Sequence, residues 1–119
     1  MTVGALSHLR LVGLGSGFAS AYTAKLLADL GADVVKIEPP GGDATRKLGP
    51  FPAGRVDPET SGMFLYLNAN KRGIVLDLGA AADLARFRKL VDRADVLIHD
   101  IAPSELARYG LEPQEVIRG

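Results

Sequence analysis

Short apolar runs and stretches of helical periodicity alternate along the chain. The short runs predict four strands, at residues 10–14, 34–38, 74–78 and 96–99. Between them, apolar residues three and four positions apart predict one helix between Gly17 and Gly31 and a second over residues 80–94. Shorter helices are predicted over residues 103–109 and from Pro113 onwards. Because strands alternate with helices, the predicted fold class is α/β, with a parallel, doubly wound sheet.

Each of the two long helices is predicted to carry one apolar face. The face of the first helix is predicted to consist of Ala19, Tyr22, Leu26, Leu27 and Leu30. The face of the second helix is predicted to consist of Leu84, Phe87, Leu90 and Val91. We expect Gly31 to end the first helix, because glycine adopts positive φ without a steric clash. The crossover between the first two strands is expected to be right-handed.

A polar segment rich in proline and glycine, residues 39–59, follows the second strand. A loop of this length in a compact domain is usually functional, mobile or an arm that reaches a partner. One or two helical turns are predicted over residues 60–68, followed by a polar turn over residues 68–72. With about four strands and a last helix that coincides with the end of the sequence, we expect the sheet to be incomplete.

Composition narrows the function classes. The 119 residues are predicted to form a single domain, residues 1–119. With 14 basic and 14 acidic residues, the formal net charge is zero, which disfavours nucleic acid and membrane surfaces as partners. No cysteine is present, so there is no thiolate metal site, and we expect no metal. The first residues lack the apolar core of a signal peptide, so we expect a cytoplasmic location.

A glycine-rich turn after the first strand suggests a nucleotide site. Gly13, Gly15 and the later Glu38 match part of the dinucleotide-binding pattern, in which backbone amides hold a pyrophosphate and the acidic residue holds a ribose. The third glycine of that pattern belongs at position 18, where this sequence has Phe18. A bulky side chain there blocks the close approach of helix and strand that glycine permits. We therefore interpret the turn as a tight connection rather than a nicotinamide or flavin site.

Four blocks of sequence carry a more specific pattern. In chain order they read LLADLGADVVKIE, VKIEPPGGDATR, LNANKRGIVLDL and ADVLIHDIAPSELARYGL. Over residues 9–117 the chain resembles the family III CoA-transferases, which include formyl-CoA and carnitine CoA-transferases and the α-methylacyl-CoA racemases. The resemblance is to the N-terminal part of the family's large domain.

The resemblance implies a Rossmann-like parallel sheet flanked by helices, a separate small domain and an interlocked dimer. It implies transfer of CoA between carboxylic acids, with an aspartate that attacks acyl-CoA and becomes an aspartyl-CoA thioester. The racemases instead remove and return the proton next to the thioester. No residue of this chain matches the catalytic residues of either group, so none is assigned and the chain alone is expected to be inactive. Its expected partners are acyl-CoA, a carboxylic acid, and a second copy or the remaining part of the same enzyme.

The resemblance also implies where coenzyme A binds, with the glycine-rich turn after the first strand as one wall of the site. The matching positions are Phe18, Ala19, Leu76, Asp77, Leu78, Gly79, Asp100, Ile101, Ala102 and Arg108. Most lie at the predicted ends of parallel strands, where ligands of open α/β sheets bind.

Two departures from the family pattern remove positive charge from this site. Positions that are often arginine in the family are Pro39 and Ala102 here. Either arginine is suited to pair with a CoA phosphate. Lys71, Arg72 and Arg108 are candidates to supply part of that charge. A degenerate, non-catalytic half that binds CoA or forms a dimer is therefore an alternative, as is a racemase-type enzyme.

Several polar residues allow both a structural and a functional interpretation. We expect Glu38 to orient the loop or to accept hydrogen bonds from backbone donors rather than to bind a ribose. Arg46 is expected to form a local ion pair, with Asp43 as the nearby acidic residue, rather than to bind substrate. His99 is expected to be a bystander rather than a catalytic base, and Asp100 to cap the following segment or to be solvated.

Two further pairs of residues are interpreted in the same way. Lys71 and Arg72 are expected to lie in a solvated turn that positions the asparagines at 68 and 70, with a phosphate or dimer contact as the alternative. Phe64 and Tyr66 are expected to pack against the protein rather than to form a stacking platform for adenine.

Overall fold

The computed structural model describes residues 4–15 and 17–118. In chain order the elements are β1 (Arg10–Leu14), α1 (Phe18–Asp29), β2 (Asp33–Glu38), α2 (Gly62–Leu67), β3 (Arg72–Val75), α3 (Ala81–Asp92), β4 (Val96–His99), α4 (Pro103–Arg108) and α5 (Pro113–Arg118). Two short 3₁₀ helices, Ala44–Lys47 and Pro52–Gly54, lie between β2 and α2. No helix in these ranges combines the length and apolar character that a membrane span needs.

The four strands form one parallel sheet in the order β3-β2-β1-β4. Strand β1 is central, and its Leu11 lies in register with Val34 of β2 and Val96 of β4. The chain moves from β1 to one side for β2 and β3, and then crosses to the other side for β4. The predicted α/β sheet of four parallel strands is therefore confirmed, and its order reverses between β1 and β4.

The third strand begins and ends earlier than its apolar run predicts. Strand β3 spans Arg72–Val75, whereas the prediction was residues 74–78. The amide of Leu76 still donates to the backbone carbonyl of Glu38, at 3.0 Å, but β2 ends at that residue. The chain then turns, and Ala80 donates to the carbonyl of Asp77 at 2.9 Å. The length of the neighbouring strand sets this boundary, which the hydropathy of one segment does not reveal.

Helix α1 packs on the sheet through small side chains rather than large ones. Its buried residues are Ala21, Ala24 and Ala28. Tyr22 is 42% exposed, and Leu26 and Leu30 are also exposed. Of the face predicted for this helix, Leu27 alone packs against the core cluster that contains Ala24 and Ala28. The prediction was wrong because the alanines let the helix backbone lie close to the sheet, which turns the larger side chains outward.

Helix α3 covers the other side of the sheet with the face that was predicted for it. Phe87 is fully buried, and Leu84, Leu90 and Val91 pack around the same core cluster. That cluster contains Val12 of β1, whereas Leu11 belongs to the cluster on the α1 side. Neighbouring residues of a strand point to opposite faces of a sheet, so β1 supplies both layers of the core.

The segment over residues 39–59 is anchored to the body of the protein. Thr45, in its first 3₁₀ helix, is buried. The hydroxyl of Ser61, which begins α2, lies 2.8 Å from the carbonyl of Thr45 and accepts the amide of Phe64 at 3.1 Å. This segment therefore has two short helices and defined contacts, and it also makes polar contacts with Lys36 and Glu38 of β2.

Candidate functional site

A cleft of about 290 Å³ opens at the carboxyl ends of β1, β2 and β3. Its walls are formed by Leu14, Gly15, Ile37, Pro39, Pro40, Leu76, Asp77, Leu78, Ile101, Glu105 and Tyr109. Ligands of open α/β sheets bind outside the carboxyl ends of the strands, near the point where the strand order reverses. The cleft opens at that end of the sheet.

Several of the predicted site residues lie at this cleft. Leu76, Asp77, Leu78 and Ile101 line its walls. Gly79 follows directly, and its amide donates to the carboxylate of Asp77 at 3.0 Å. Ile101 is flanked by two more predicted residues, Asp100 and Ala102, and Ala102 is the N-cap residue that directly precedes α4. Arg108 is exposed in the last turn of α4, the helix that also carries Glu105 of the cleft wall.

Eight of the twelve predicted residues are not among those that line the cleft: the neighbouring Gly79, Asp100, Ala102 and Arg108, and also Phe18, Ala19, Lys71 and Arg72. Phe18 and Ala19 are exposed in the first turn of α1, just beyond the glycine-rich turn. Lys71 lies beneath α1, where its ammonium donates to the backbone carbonyl of Ala21 at 2.9 Å. Arg72 forms an exposed ion pair with Asp33, the first residue of β2, with the charged atoms 2.7 Å apart. Arg72 is thus directed toward the amino-terminal end of the sheet, away from the cleft.

The carboxylate of Asp100 lies inside the glycine-rich turn. A Cβ added to Gly15 would fall 1.6 Å from Oδ1 of Asp100, and one added to Gly17 would fall 1.8 Å from Oδ2. The two glycines therefore make room for this carboxylate. Because helix α1 begins directly after Gly17, the negative charge of Asp100 lies near the positive end of the helix dipole. In a dinucleotide-binding turn that place belongs to a pyrophosphate.

Of the two roles expected for Asp100, capping of the following segment is not observed, whereas the exposure of this residue agrees with solvation. Helix α4 begins after Ala102, without a hydrogen bond from a capping side chain. Asp100 is directed into the glycine-rich turn instead, so its side chain does not reach the first turn of α4.

A pair of buried charges lies next to the same turn. The ammonium of Lys36, on β2, is 2.6 Å from the carboxylate of Asp43, and both side chains are almost fully buried. Asp43 also accepts hydrogen bonds from the amide and the hydroxyl of Thr45. Burial is the largest influence on the pKa of Asp43 and raises it, but the hydrogen bonds from Lys36 and Thr45 together hold that pKa below its ordinary value.

Glu38, two residues after Lys36 on β2, anchors the loop over residues 39–59. Its carboxylate accepts hydrogen bonds from Nε and Nη2 of Arg46, each at 2.7 Å, and from the backbone amide of Asp43 at 2.8 Å. The hydrogen bond from Arg46 is the main reason that the pKa of Glu38 lies below its ordinary value. The prediction that Glu38 orients the loop is confirmed. Arg46 forms a local ion pair as predicted, but its partner is Glu38, because Lys36 already pairs with Asp43.

Lys71 is half-buried rather than solvated. Besides Ala21, its ammonium contacts the side-chain oxygen of Asn68 at 2.8 Å. Burial, with the nearby positive charge of Lys36 as a second cause, lowers the pKa of Lys71 to about 8. The turn is therefore packed under α1 at this residue, which corrects the expectation of a solvated lysine.

The aromatic residues and the histidine make contacts within the protein. The Arg46 guanidinium lies 3.7 Å from the ring centre of Phe64, which is cation–π geometry. Tyr66 stacks on Tyr22, with ring centres 6.4 Å apart. His99 accepts the amide of Ile101 through Nδ1 at 3.1 Å. Tyr66 is nevertheless 57% exposed, and the roles expected for these three residues stay predictions.

The sequence did not assign five residues of the cleft to the site, nor Lys36 to any role. The five are Leu14, Ile37, Pro40, Glu105 and Tyr109. Because the ends of the first two strands can be predicted from the sequence, Leu14 and Ile37 could have been assigned to the site. The polar contacts of Lys36 and Glu38 could also have been expected, because these two charged residues alternate with Val35 and Ile37 in a strand that is otherwise apolar. Glu105 and Tyr109 reach the cleft only through the placement of α4.

The chain is similar to known proteins in family, sequence and structure. The model of CoA-transferase family III matches residues 6–118. The chain is 40% identical over 107 residues to a succinyl-CoA:mesaconate CoA-transferase of Haloarcula hispanica, which covers 90% of this chain and 27% of that protein. It is 41% identical over 110 residues to a succinate–glutarate CoA-transferase of Agrobacterium fabrum, covering 90% of this chain and 28% of that protein.

Solved structures show the same similarity. A CaiB/BaiF family protein from Brucella suis superposes with a TM-score of 0.87 at 32% identity, over 98% of this chain and 31% of that one. The Rv3272 protein of Mycobacterium tuberculosis superposes with a TM-score of 0.83 at 27% identity, over 99% of this chain and 31% of that one. The chain thus spans less than a third of the length of these relatives. It belongs to CoA-transferase family III.

Proposed function

We propose that this chain supplies the coenzyme A-binding part of an enzyme that transfers CoA between carboxylic acids. The observation that carries the proposal is the cleft at the carboxyl ends of β1, β2 and β3, which contains four residues predicted from the family resemblance. Relatives that transfer CoA from succinyl-CoA to mesaconate, or between succinate and glutarate, support this class of substrate. The chain corresponds to the N-terminal part of such an enzyme.

The chemistry of the cleft suggests which part of coenzyme A it holds. Its lining is mostly apolar, with the carboxylates of Asp77 and Glu105 as its charged groups. Carboxylates repel phosphate, so a neutral part of the ligand, the adenine or the pantetheine arm, suits the cleft better than the phosphates do. The exposed Arg108 on α4 is the candidate cation for a phosphate outside the cleft.

Calorimetric titration of the purified chain with coenzyme A tests this proposal. Leu78→Glu adds a third carboxylate to the cleft wall, and we expect it to weaken CoA binding at least about tenfold, the cost of one buried unpaired group. Val56→Glu is the matched control, because Val56 is an exposed apolar residue of the loop that does not line the cleft. Absence of CoA binding by the unmodified chain would contradict the proposal, as would equal effects of the two substitutions.

We further propose that the reaction proceeds through an aspartyl intermediate on a residue that this chain does not contain. Covalent catalysis by a carboxylate divides one difficult acyl exchange into easier steps. The chain alone is then expected to show no exchange when it is incubated with an acyl-CoA and an acceptor acid. Turnover by the chain alone would place the nucleophile within these 119 residues.

A second candidate function is a non-catalytic half that contributes a dimer surface. Pro39 and Ala102 stand where the family often has arginine, and the cleft walls carry acidic groups, so binding of a polyanion is weakened. This candidate predicts self-association without measurable CoA binding. The first candidate predicts CoA binding in the same titration, so one experiment separates the two.

A further inference from the structure

Two ion pairs attach the loop over residues 39–59 to one face of β2. Lys36 and Glu38 lie on the same face of the strand, and each pairs with a residue of the loop, Asp43 and Arg46 respectively. The pair of Lys36 with Asp43 is the more deeply buried, with 6% and 3% of the two side chains exposed. The pair of Glu38 with Arg46 is nearer the surface, where the guanidinium also donates to the carbonyl of Pro58 at 3.0 Å.

The two pairs differ in what else they contact. The ammonium of Lys36 also donates to the backbone carbonyl of Gly15, at 3.2 Å. Gly15 belongs to the glycine-rich turn and lines the candidate cleft, whereas Lys36 does not line it. One ammonium therefore joins the loop to the turn from behind the cleft wall. Arg46 and Glu38 bond to the loop and to each other.

The contact with Gly15 gives a reason for burying this charge. Two well-packed apolar residues often stabilise an interior as well as a buried ion pair does, so a buried pair is weak evidence for stability by itself. An ammonium has three donors, and here one donor serves a carboxylate of the loop and another serves a carbonyl of the turn. An apolar pair at the same place would fill the volume but would leave that carbonyl without its donor.

We propose that Lys36 is a positioning residue, which transmits the docking of the 39–59 loop to the glycine-rich turn and so sets the shape of the cleft. The relevance of that shape to CoA rests on the proposed function. The mechanical link between loop and turn does not, because it is a property of the unliganded chain.

Asp43→Asn tests the link directly. Asp43 pairs with Lys36, bonds to Thr45 within the loop and donates its backbone amide to Glu38. The substitution changes only the side chain, so the altered contact nearest the turn is the one with Lys36. The amide replacing the carboxylate still accepts hydrogen bonds from Thr45, but it no longer fixes the ammonium by charge. We expect amide hydrogen exchange to quicken about tenfold both in the loop and at Ala21, whose amide donates to the carbonyl of Gly17 in the turn, as for the loss of one charge-assisted hydrogen bond.

Arg46→Gln is the matched control. It removes the other ion pair of the loop and leaves Lys36, Asp43 and Gly15 in contact. We expect faster exchange in the loop and unchanged exchange in the turn. If Asp43→Asn also leaves the turn unchanged, or if Arg46→Gln disturbs the turn equally, the proposed role of Lys36 is overturned.

A double variant separates positioning from stability. Lys36→Met with Asp43→Asn removes both charges, so no uncompensated charge is left buried, and we expect its melting temperature to lie closer to that of the unmodified chain than that of Lys36→Met alone. Exchange at the turn should still be fast, because Gly15 has lost its donor. Protection of the turn equal to that of the unmodified chain would contradict the proposal.

Titration of the same variants with coenzyme A completes the experiment. Asp43→Asn is expected to weaken CoA binding about tenfold, because the loss of one charge-assisted hydrogen bond then disturbs the turn at the cleft. Arg46→Gln is expected to weaken it less than about threefold, because the contact of Lys36 with the turn is kept. If the unmodified chain binds no CoA, the proposed function fails while the exchange measurements still decide whether Lys36 positions the turn.

Discussion

Asp100 explains the spacing of the glycines in the turn after β1. Gly15 has a φ of +103°, and a Cβ there would fall 1.6 Å from the Asp100 carboxylate. Both the backbone conformation and the neighbouring side chain therefore require glycine. A dinucleotide site requires similar glycines for a different reason, the approach of a pyrophosphate. In this chain the glycines of the turn thus leave room for the carboxylate of Asp100 instead.

Gly15→Ala is expected to destabilise the protein by about 1–3 kcal/mol, the usual cost of a side chain in a sparsely populated backbone region, with displacement of Asp100 adding to it. Gly73→Ala is the control, because a Cβ at Gly73 meets no atom within 4 Å. It should change stability by less than about 1 kcal/mol. Urea denaturation of the two variants measures both values, and equal effects would show that Asp100 and the positive φ do not constrain the turn.

Lys71 is expected to make stability depend on pH in the alkaline range. Its pKa is about 8 in the folded chain, below the ordinary value of 10.5, so between these values the unfolded chain binds more protons. The free energy of unfolding should therefore rise from about pH 8 to about pH 10.5 relative to that of Lys71→Met, which does not titrate there. Denaturant unfolding across this range measures the difference, and a constant difference would contradict the burial of the ammonium.

At the scale of elements, α1 shows how packing chooses between two possible faces. The helix has a stripe of alanines and a stripe of larger apolar residues, and periodicity alone favours the larger ones. The alanine stripe is buried because it brings the helix close to the sheet. In α3 the large residues face the core, since Phe87 and its neighbours are the only strongly apolar stripe on that helix.

Substitutions on the two stripes of α1 test this assignment. Ala24→Leu should destabilise the protein by about 1–3 kcal/mol, because extra methyl groups overpack a close contact. Leu26→Ala should cost less than about 1 kcal/mol, since Leu26 is 44% exposed. If Leu26 instead belonged to the core, its truncation would cost about 2–5 kcal/mol. Thermal unfolding of the two variants distinguishes the two arrangements.

Element boundaries were less predictable than element types. The four strands and the long helices follow from local periodicity and from glycine and proline signals, and all of them are present. The third strand ends early because β2 ends at Glu38, which is a property of its neighbour. The family resemblance had indicated Leu76, Asp77, Leu78 and Ile101, which line the cleft. It had not indicated Tyr109, because the placement of α4 brings that residue to the cleft.

At the scale of the whole molecule, α1 and α2 together expose an apolar surface. It is formed by Phe18, Tyr22, Leu26, Leu65 and Tyr66, all of which are at least 42% exposed. Stacking of Tyr22 on Tyr66 joins the two helices within it. Contiguous apolar surface of this kind marks an interaction site in soluble proteins.

The chain is therefore expected to self-associate through this surface. Light scattering across a range of protein concentrations measures the effect, and the combined variant Leu26→Ser with Leu65→Ser should shift the chain toward monomer. Val56→Ser, at an exposed residue of the loop outside this surface, should leave association unchanged. A chain that stays monomeric at every concentration, or one that associates equally in both variants, would show that the surface does not pair.

The sequence by itself determined the α/β class, the alternation of strands and helices, the family and the strand ends at which the cleft opens, because these depend on local periodicity and short motifs. The tertiary structure decided which stripe of α1 is buried, which acidic residue pairs with Lys36, and what the glycines accommodate. Each of these depends on residues far apart in the chain. Asp100 reaches Gly15 across 85 positions because β1 and β4 are neighbours in the sheet. Strand pairing creates that contact, and no local pattern encodes it.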